Sequence, residues 1–334
     1  MLTVAKLGEH ALLARILARL PRPGSDLLVG PGDDAAVLEP VRNERLVVTT
    51  DAIVEGVHFT RTFSTPADIG HKALAINLSD LAAMGATPRW ALLSLMLPNA
   101  TLVSDVEDLV TGLADLAGRY GVSVAGGNMT RTDGPLVVDV TVGGSAKPRR
   151  WLTRSGMRPG DELYVSGTIG AAAAGLDMLG QVSGLGSQAS GCIERHRRPE
   201  PRVRLGMAVA RARAASGAMD VSDGLADGLR QMATASGVGV RVDANAIPVD
   251  AEAREWWQAR GLEVVGAAVS GGDDYELLFS VPRRRAGALR SVMRRADVPL
   301  TRIGVVTNDP AERALVRGDT VEQLPEGFLH FAHR

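Results

Sequence analysis

Apolar segments of strand length alternate with segments of helical period along the whole chain, and this alternation constrains the fold more than any other feature. Strands are expected over 46–50, 90–97, 122–125 and 136–142, and helices over 9–20, 65–84 and 103–119. The second helix has a clear start: Thr65 is placed as the N-cap, Pro66 as the first helical residue and Asp68 as the capping-box partner, and Gly85 marks the stop. A stretch rich in Arg, Pro and Gly at 147–160 reads as a junction. A second series follows, with strands expected over 163–165, 238–242, 264–269, 275–281 and 301–306, the last closing the chain. Helices are expected over 169–180, 202–215, 225–236 and 284–296, with a flexible loop at 181–191. The mixture predicts an α/β (or α+β) protein. The 334 residues suit two domains, expected at 1–148 and 149–334.

Acidic residues gather at the ends of these segments, beside glycines. Gly32-Asp33-Asp34 follows a short apolar run, Asp51 closes the strand at 46–50, and Asp220-Val221-Ser222-Asp223-Gly224 leads into a helix. Gly271-Gly272-Asp273-Asp274 follows another apolar run. Asp80 falls in the last turn of its helix, where the helix dipole disfavours a carboxylate by a few tenths to about 1 kcal/mol. Asn77 lies one turn earlier on the same face. A carboxylate so placed calls for a cation, either Lys72 or a metal ion. Several carboxylates brought together repel unless cations neutralise them. Mg²⁺ suits them, since it binds one or two carboxylates and completes its shell with waters and substrate phosphates. Singly, each Asp-Gly pair is an ordinary turn. No segment reads GxxxxGK[ST], and the protein-kinase HRD and DFG pair is missing, so a P-loop or kinase-fold phosphate site is excluded.

Composition removes other classes. The formal net charge is -1, which argues against a nucleic-acid partner. The single cysteine, Cys192, rules out a disulfide within the chain and a Cys-based zinc site. No signal peptide and no apolar run long enough for a membrane span are read, so a cytoplasmic location is expected. Only three residues are lysines, Lys6, Lys72 and Lys147, so phosphate-binding cations must come mainly from arginine.

The succession GPGDDAAVL, TTDAIVEGVHF, KALAINLSDLAAMGATP, LTRSGMRPGD, MDVSDGLADGL and SGGDDYELLF resembles the thiamine-monophosphate kinase family. That family lies within the superfamily of aminoimidazole-ribonucleotide synthetase, selenophosphate synthetase and the hydrogenase-maturation ATP-binding protein. The likeness runs from about residue 8 to the closing GFLHF. It implies a two-domain fold like aminoimidazole-ribonucleotide synthetase, with the N-terminal sheets pairing across a homodimer and an α/β C-terminal domain. It implies transfer of the γ-phosphoryl of ATP to thiamine phosphate, with several Mg²⁺ ions. By the same resemblance, Asp34, Thr49, Thr50, Asp51, Asp80, Asp220 and Asp223 hold Mg²⁺. Arg154 and Ser222, with the backbone at Gly126 and Gly127, hold ATP; His58, Asp273 and Phe328 face the thiamine moiety. The family usually carries Asp, as a further metal ligand, where this chain has Asn128. Asn offers a carbonyl oxygen without charge. Two other readings therefore stay open: a divergent ATP-dependent enzyme acting on another substrate, or an inactive nucleotide-binding paralogue. Selenophosphate synthetase is disfavoured by the lack of an N-terminal cysteine, and the hydrogenase-maturation protein by the lack of a C-terminal one.

Plainer roles compete for some residues. His58 alone reads as a surface or structurally bonded histidine, and Phe328 as a packing residue. Trp256-Trp257 reads as helix packing. The run Arg195-His196-Arg197-Arg198, with Arg202 and Arg204, reads as a solvated loop and helix start. Cys192 is not placed as a nucleophile.

Overall fold

The structure is a computed structural model and describes residues 1–31, 34–181 and 190–327. The chain divides into two compact units: Met1–Leu81 with Thr87–Pro148, and Ala82–Ala86 with most of the chain from Arg149 onward.

In the first unit, two short helices, α1 (Val4–Leu7) and α2 (Glu9–Leu17), precede a small hairpin of β1 (Leu27–Val29) and β2 (Val37–Leu38). Then come β3 (Arg45–Val54), α3 (Pro66–Ala83), β4 (Thr87–Pro98), α4 (Val103–Tyr120), β5 (Ser123–Thr132) and β6 (Val137–Ala146). The sheet order is β3-β6-β4-β5, with β4 and β5 parallel and the other pairs antiparallel. The start of α3 is the capping box read from sequence: Thr65 N–H donates to Asp68 Oδ2 at 3.0 Å, and Asp68 N–H donates to Thr65 Oγ1 at 3.2 Å. α4 buries Val106, Leu109, Val110, Leu113, Leu116 and Ala117, the spacing of a helix with one apolar face. α3 and α4 cross so closely that a Cβ on Gly70 would lie 1.8 Å from the Leu109 carbonyl oxygen, and one on Gly112 2.0 Å from that of Ala67.

One face of this sheet carries the apolar core: Ile53, Val138, Val140, Val142, Leu93, Leu95 and Leu97 are buried. α3 packs on it, since a Cβ on Gly144 would meet the Leu81 side chain at 3.0 Å. The residues between these alternate to the opposite face. There Leu46 (67%), Val48 (51%) and Leu92 (37%) stand exposed, leaving an uncovered apolar surface.

The second unit contains β7 (Glu162–Ser166), α5 (Ala171–Gln181), α6 (Gly191–Arg197), α7 (Val203–Ala212), β8 (Gly217–Asp220), α8 (Leu225–Ser236) and β9 (Gly239–Asp243). It continues with α9 (Ala251–Ala259), α10 (Val264–Ser270), β10 (Leu277–Val281), α11 (Ala286–Met293), β11 (Leu300–Thr307), β12 (Arg313–Arg317) and β13 (Thr320–Gln323). Its sheet order is β13-β12-β9-β11-β7-β10-β8. β10 lies antiparallel to β8, with Leu277 opposite Asp220. The loop leaving β8 and the loop entering β10 therefore meet at one end of the sheet.

Several expectations are corrected. The helix expected over 9–20 ends at Leu17, and Leu13 is 38% exposed. The strand expected over 46–50 runs to Val54, because ten consecutive residues pair with β6, so Asp51 is mid-strand. Gly126-Gly127-Asn128 is likewise inside β5 and not a turn at its end. The segment expected as a strand at 264–269 is helix α10: Glu263 caps it by accepting from Val265 and Gly266 N–H, which outweighs the strand preference of its valines. The chain does not close on β11, since β12 and β13 follow as a hairpin. Among the described residues no helix is long and apolar enough to cross a membrane.

Candidate functional site

Asp51 and Thr49 share the α3-facing side of β3. Thr49 Oγ1 donates to Asp80 Oδ2 at 2.5 Å, joining the strand to the last turn of α3. Two oxygen-bearing side chains thus meet where the helix carbonyls point, and the threonine hydroxyl offsets part of the dipole penalty on Asp80. Lys72 is 4% exposed, two turns earlier, and its Nζ lies 3.5 Å from the His58 carbonyl oxygen. His58 itself accepts the Val54 N–H at Nδ1, 3.1 Å, so one ring nitrogen serves the turn after β3. Asp34 is exposed at a bend after β1.

Thr50 lies on the other face. Its hydroxyl meets Asp139 Oδ1 at 3.2 Å and Thr141 Oγ1 at 2.9 Å. Asn128 also lies on that face, exposed and paired with Ser94. β3 and β5 are opposite edges of the sheet, three strand spacings or about 14 Å apart. One copy of the chain therefore does not bring Asn128 to Asp51 and Asp80. The two glycines differ. A Cβ on Gly127 would sit 1.8 Å from the Leu93 carbonyl oxygen, whereas one on Gly126 would make only an ordinary 3.6 Å contact with Leu92.

In the second unit, β8 delivers Asp220, which is 3% exposed. Ser222 and Asp223 follow, and Gly224 at φ 96° turns the chain into α8. This loop is tied to the segment before β10: Asp273 N–H donates to Ser222 O at 2.7 Å and Tyr275 N–H to Val221 O at 2.9 Å. Asp273 and Tyr275 adopt positive φ, 69° and 50°. Arg154 Nη1 donates to Gln231 Oε1 at 2.6 Å, and Gln231 Nε2 to Asp227 Oδ2 at 2.5 Å, so Arg154 is held toward the first turns of α8. The structure brings Asp220, Ser222, Asp223 and Asp273 into one pair of linked loops. Phe328 lies outside the described residues.

Behind these loops stands a buried charge cluster that the sequence did not reveal. Asp274 accepts the Gly170 N–H at 2.6 Å and the Ala172 N–H at 3.2 Å, serving the start of α5. Burial pushes its carboxyl up to about 7, against the opposing pull of those N–H groups. Glu276 is fully buried and accepts from Arg195 at 2.8 Å, Arg202 at 2.8 Å and Ser166 Oγ at 2.5 Å. Arg195 and Arg202 are thus part of a buried ion-pair network and not a solvated run. The GGDDYE sequence held the signal: three acids in four residues, entering a fully buried strand, require internal cations. Cys192 is buried beside Asp250, and burial pushes its thiol well up from its ordinary value, consistent with no nucleophilic role.

Every ligand-type side chain proposed for metal is a hard oxygen donor, as Mg²⁺ prefers. Among the described residues no three His, Cys, Asp or Glu side chains form a metal cage.

The family of AIR synthase related proteins matches both halves, its N-terminal domain over residues 32–146 and its C-terminal domain over 158–317. The thiamine-monophosphate kinase of Escherichia coli (strain K12) is 40% identical over 330 residues, 97% of this chain and 98% of that protein. The chain belongs to the thiamine-monophosphate kinase family. A thiamine-monophosphate kinase crystal structure from Stenotrophomonas maltophilia K279a superposes with a TM-score of 0.80 at 37% identity, covering 94% of this chain and 96% of that one. A structure of AaThiL complexed with AMPPCP and TMP gives a TM-score of 0.75 at 31% identity over 99% of each chain. Both AIR synthase related domains are present, the N-terminal one first.

Proposed function

We propose that this protein is a cytoplasmic, Mg²⁺-dependent thiamine-phosphate kinase that transfers the γ-phosphoryl of ATP to thiamine phosphate, giving thiamine diphosphate and ADP. One observation carries the reading: likeness to thiamine-monophosphate kinases over nearly the full chain, at up to 41% identity. AaThiL complexed with AMPPCP and TMP, an ATP analogue and the acceptor, supports the substrate pair.

Direct transfer asks little covalent chemistry of the protein. An oxygen of the acceptor phosphate attacks the γ-phosphorus and the bond to ADP breaks. That phosphate is already largely ionised near neutral pH, so no general base is assigned. By the family resemblance, Asp34, Thr49, Thr50, Asp51, Asp80 and Asp220 would hold Mg²⁺, and Asp223 would hold a further ion. Mg²⁺ held there would neutralise the phosphates and align donor with acceptor. Thr49 fixes the Asp80 carboxylate by its 2.5 Å bond. Arg154, preset by Gln231, and Ser222 hold ATP with the backbone at Gly126 and Gly127, while His58, Asp273 and Phe328 face the thiamine moiety.

The uncovered sheet face is the surface for a second copy, because Leu46, Val48 and Leu92 stand exposed together on it. With the two-fold axis along the strands, the β5 edge of one copy faces the β3 edge of the other. Asn128 then faces the β3 edge of the partner's sheet, on the face that carries Thr50.

The test is ADP release with thiamine phosphate, thiamine and other small phosphate esters. Thiamine phosphate is the preferred acceptor and thiamine a poor one; equal turnover of thiamine would sink the reading. Asp51→Asn and Asp80→Asn each lower kcat by roughly 10²–10³ while circular dichroism stays unchanged. Near-normal turnover at limiting Mg²⁺ would remove that residue from the site.

A further inference from the structure

Two adjacent residues of α6 lie against the six-residue segment 271–276, one by a hydrogen bond and one by a longer charge contact. Arg195 donates to Glu276 at 2.8 Å. His196, the next residue, is 5% exposed and its Nδ1 lies 3.6 Å from Asp273 Oδ2. The other carboxylate oxygen, Oδ1, accepts the Tyr275 hydroxyl at 3.1 Å. Each oxygen of Asp273 thus has its own neighbour, one from α6 and one from its own segment. Yet the Asp273 side chain stays 34% exposed, so the carboxylate remains reachable from solvent.

The backbone shows the same arrangement. Asp273 and Tyr275 are both at positive φ, a conformation that non-glycine residues adopt rarely. Their N–H groups are tied to Ser222 and Val221. A strained segment persists only where surrounding contacts over-determine it. Packing of the core does not require Asp273 to take this pose, since Asp274 and Glu276 carry the buried contacts. What the pose achieves is one fixed direction for an accessible carboxylate.

We propose that His196 is a positioning residue which, with Tyr275, orients the Asp273 carboxylate toward the cationic thiazolium or the exocyclic amine of the thiamine moiety. The inference rests on the substrate role given to Asp273 above. A carboxylate fixed in direction makes a stronger charge-assisted contact than a rotating one, because less freedom is lost on binding.

The experiment measures kcat and KM for both substrates in five variants. His196→Ala raises KM for thiamine phosphate about fivefold, the scale of a lost charge contact. Its kcat and its KM for ATP stay within about twofold, whereas a general packing defect would move all three. His196→Asn, whose side-chain amide stands in for Nδ1, recovers most of the loss. Asp273→Asn raises KM at least as much, and His196→Ala adds nothing to it in the double variant. If His196→Ala raises KM for ATP equally, or its effect adds in full to that of Asp273→Asn, the positioning role is wrong. If Asp273→Asn raises KM but His196→Ala does not, the inference fails and the substrate role of Asp273 stands. If Asp273→Asn changes nothing, both fall. Should His196→Ala not fold, Tyr275→Phe decides: it removes only a hydroxyl and is expected to raise KM for thiamine phosphate about threefold. An unchanged KM in that variant overturns the proposal.

Discussion

Asp274 is a carboxylate with no exposed surface to speak of, 2%, whose upward shift to about 7 comes first from burial. An unfolded aspartate titrates near 3.9. Between roughly pH 4 and 7 the folded chain therefore holds a proton that the unfolded chain has released. Protons favour the folded state in that window, so this residue's contribution to stability is present below pH 4 and is lost as pH rises through 7. Urea midpoints measured at pH 5 and pH 7.5 should show the wild-type protein weakening relative to Asp274→Asn, which has no proton to lose. Parallel midpoints for the two proteins would mean that Asp274 is ionised throughout.

Among elements, β5 shows most clearly what sequence reasoning reached and what it missed. Its apolar start was legible, and so were α3 with its capping box and α4 with its single apolar face, because those signals are local. The continuation of β5 through Gly126-Gly127-Asn128 was not, since glycines normally end strands and only the neighbouring β4 reveals the pairing. Gly127→Ala would drive a Cβ into the Leu93 carbonyl and is expected to destabilise by at least about 1–3 kcal/mol. Gly126→Ala meets only an ordinary contact and should leave stability within about 0.5 kcal/mol, while weakening ATP binding if backbone approaches nucleotide there. Thermal denaturation and an ATP titration separate the two; equal melting of both variants would count against the pairing. The helix at 264–270 was unreadable for the converse reason: a valine-rich run favours strand until the cap at Glu263 is seen. At the site, the acidic loops and their order were visible, but the faces were not. A strand register places Thr49 and Thr50 on opposite sides, and nothing in TTD says which strand edge Asn128 will occupy.

For the whole molecule, a dimer through the uncovered sheet face is expected at micromolar concentration by light scattering. Leu92→Glu should shift it toward monomer by placing a charge within the apolar patch. An active monomer in either protein would remove the second copy from the mechanism. In the dimer, Asn128→Asp restores one negative charge and should lower the Mg²⁺ concentration for half-maximal rate, by up to about tenfold. An unchanged Mg²⁺ dependence would detach Asn128 from the ion. The arginines that clamp Glu276 and reach toward α8 have a further consequence. From residue 149 to 334 the sequence contains no lysine, so every permanent cation there is a guanidinium. An ammonium discharges near pH 10.4, whereas a guanidinium keeps its proton above about pH 12. Mild alkali therefore leaves the positive charge of this unit untouched. Amine-directed reagents likewise find no target on it, so acylation would label only the other half of the chain.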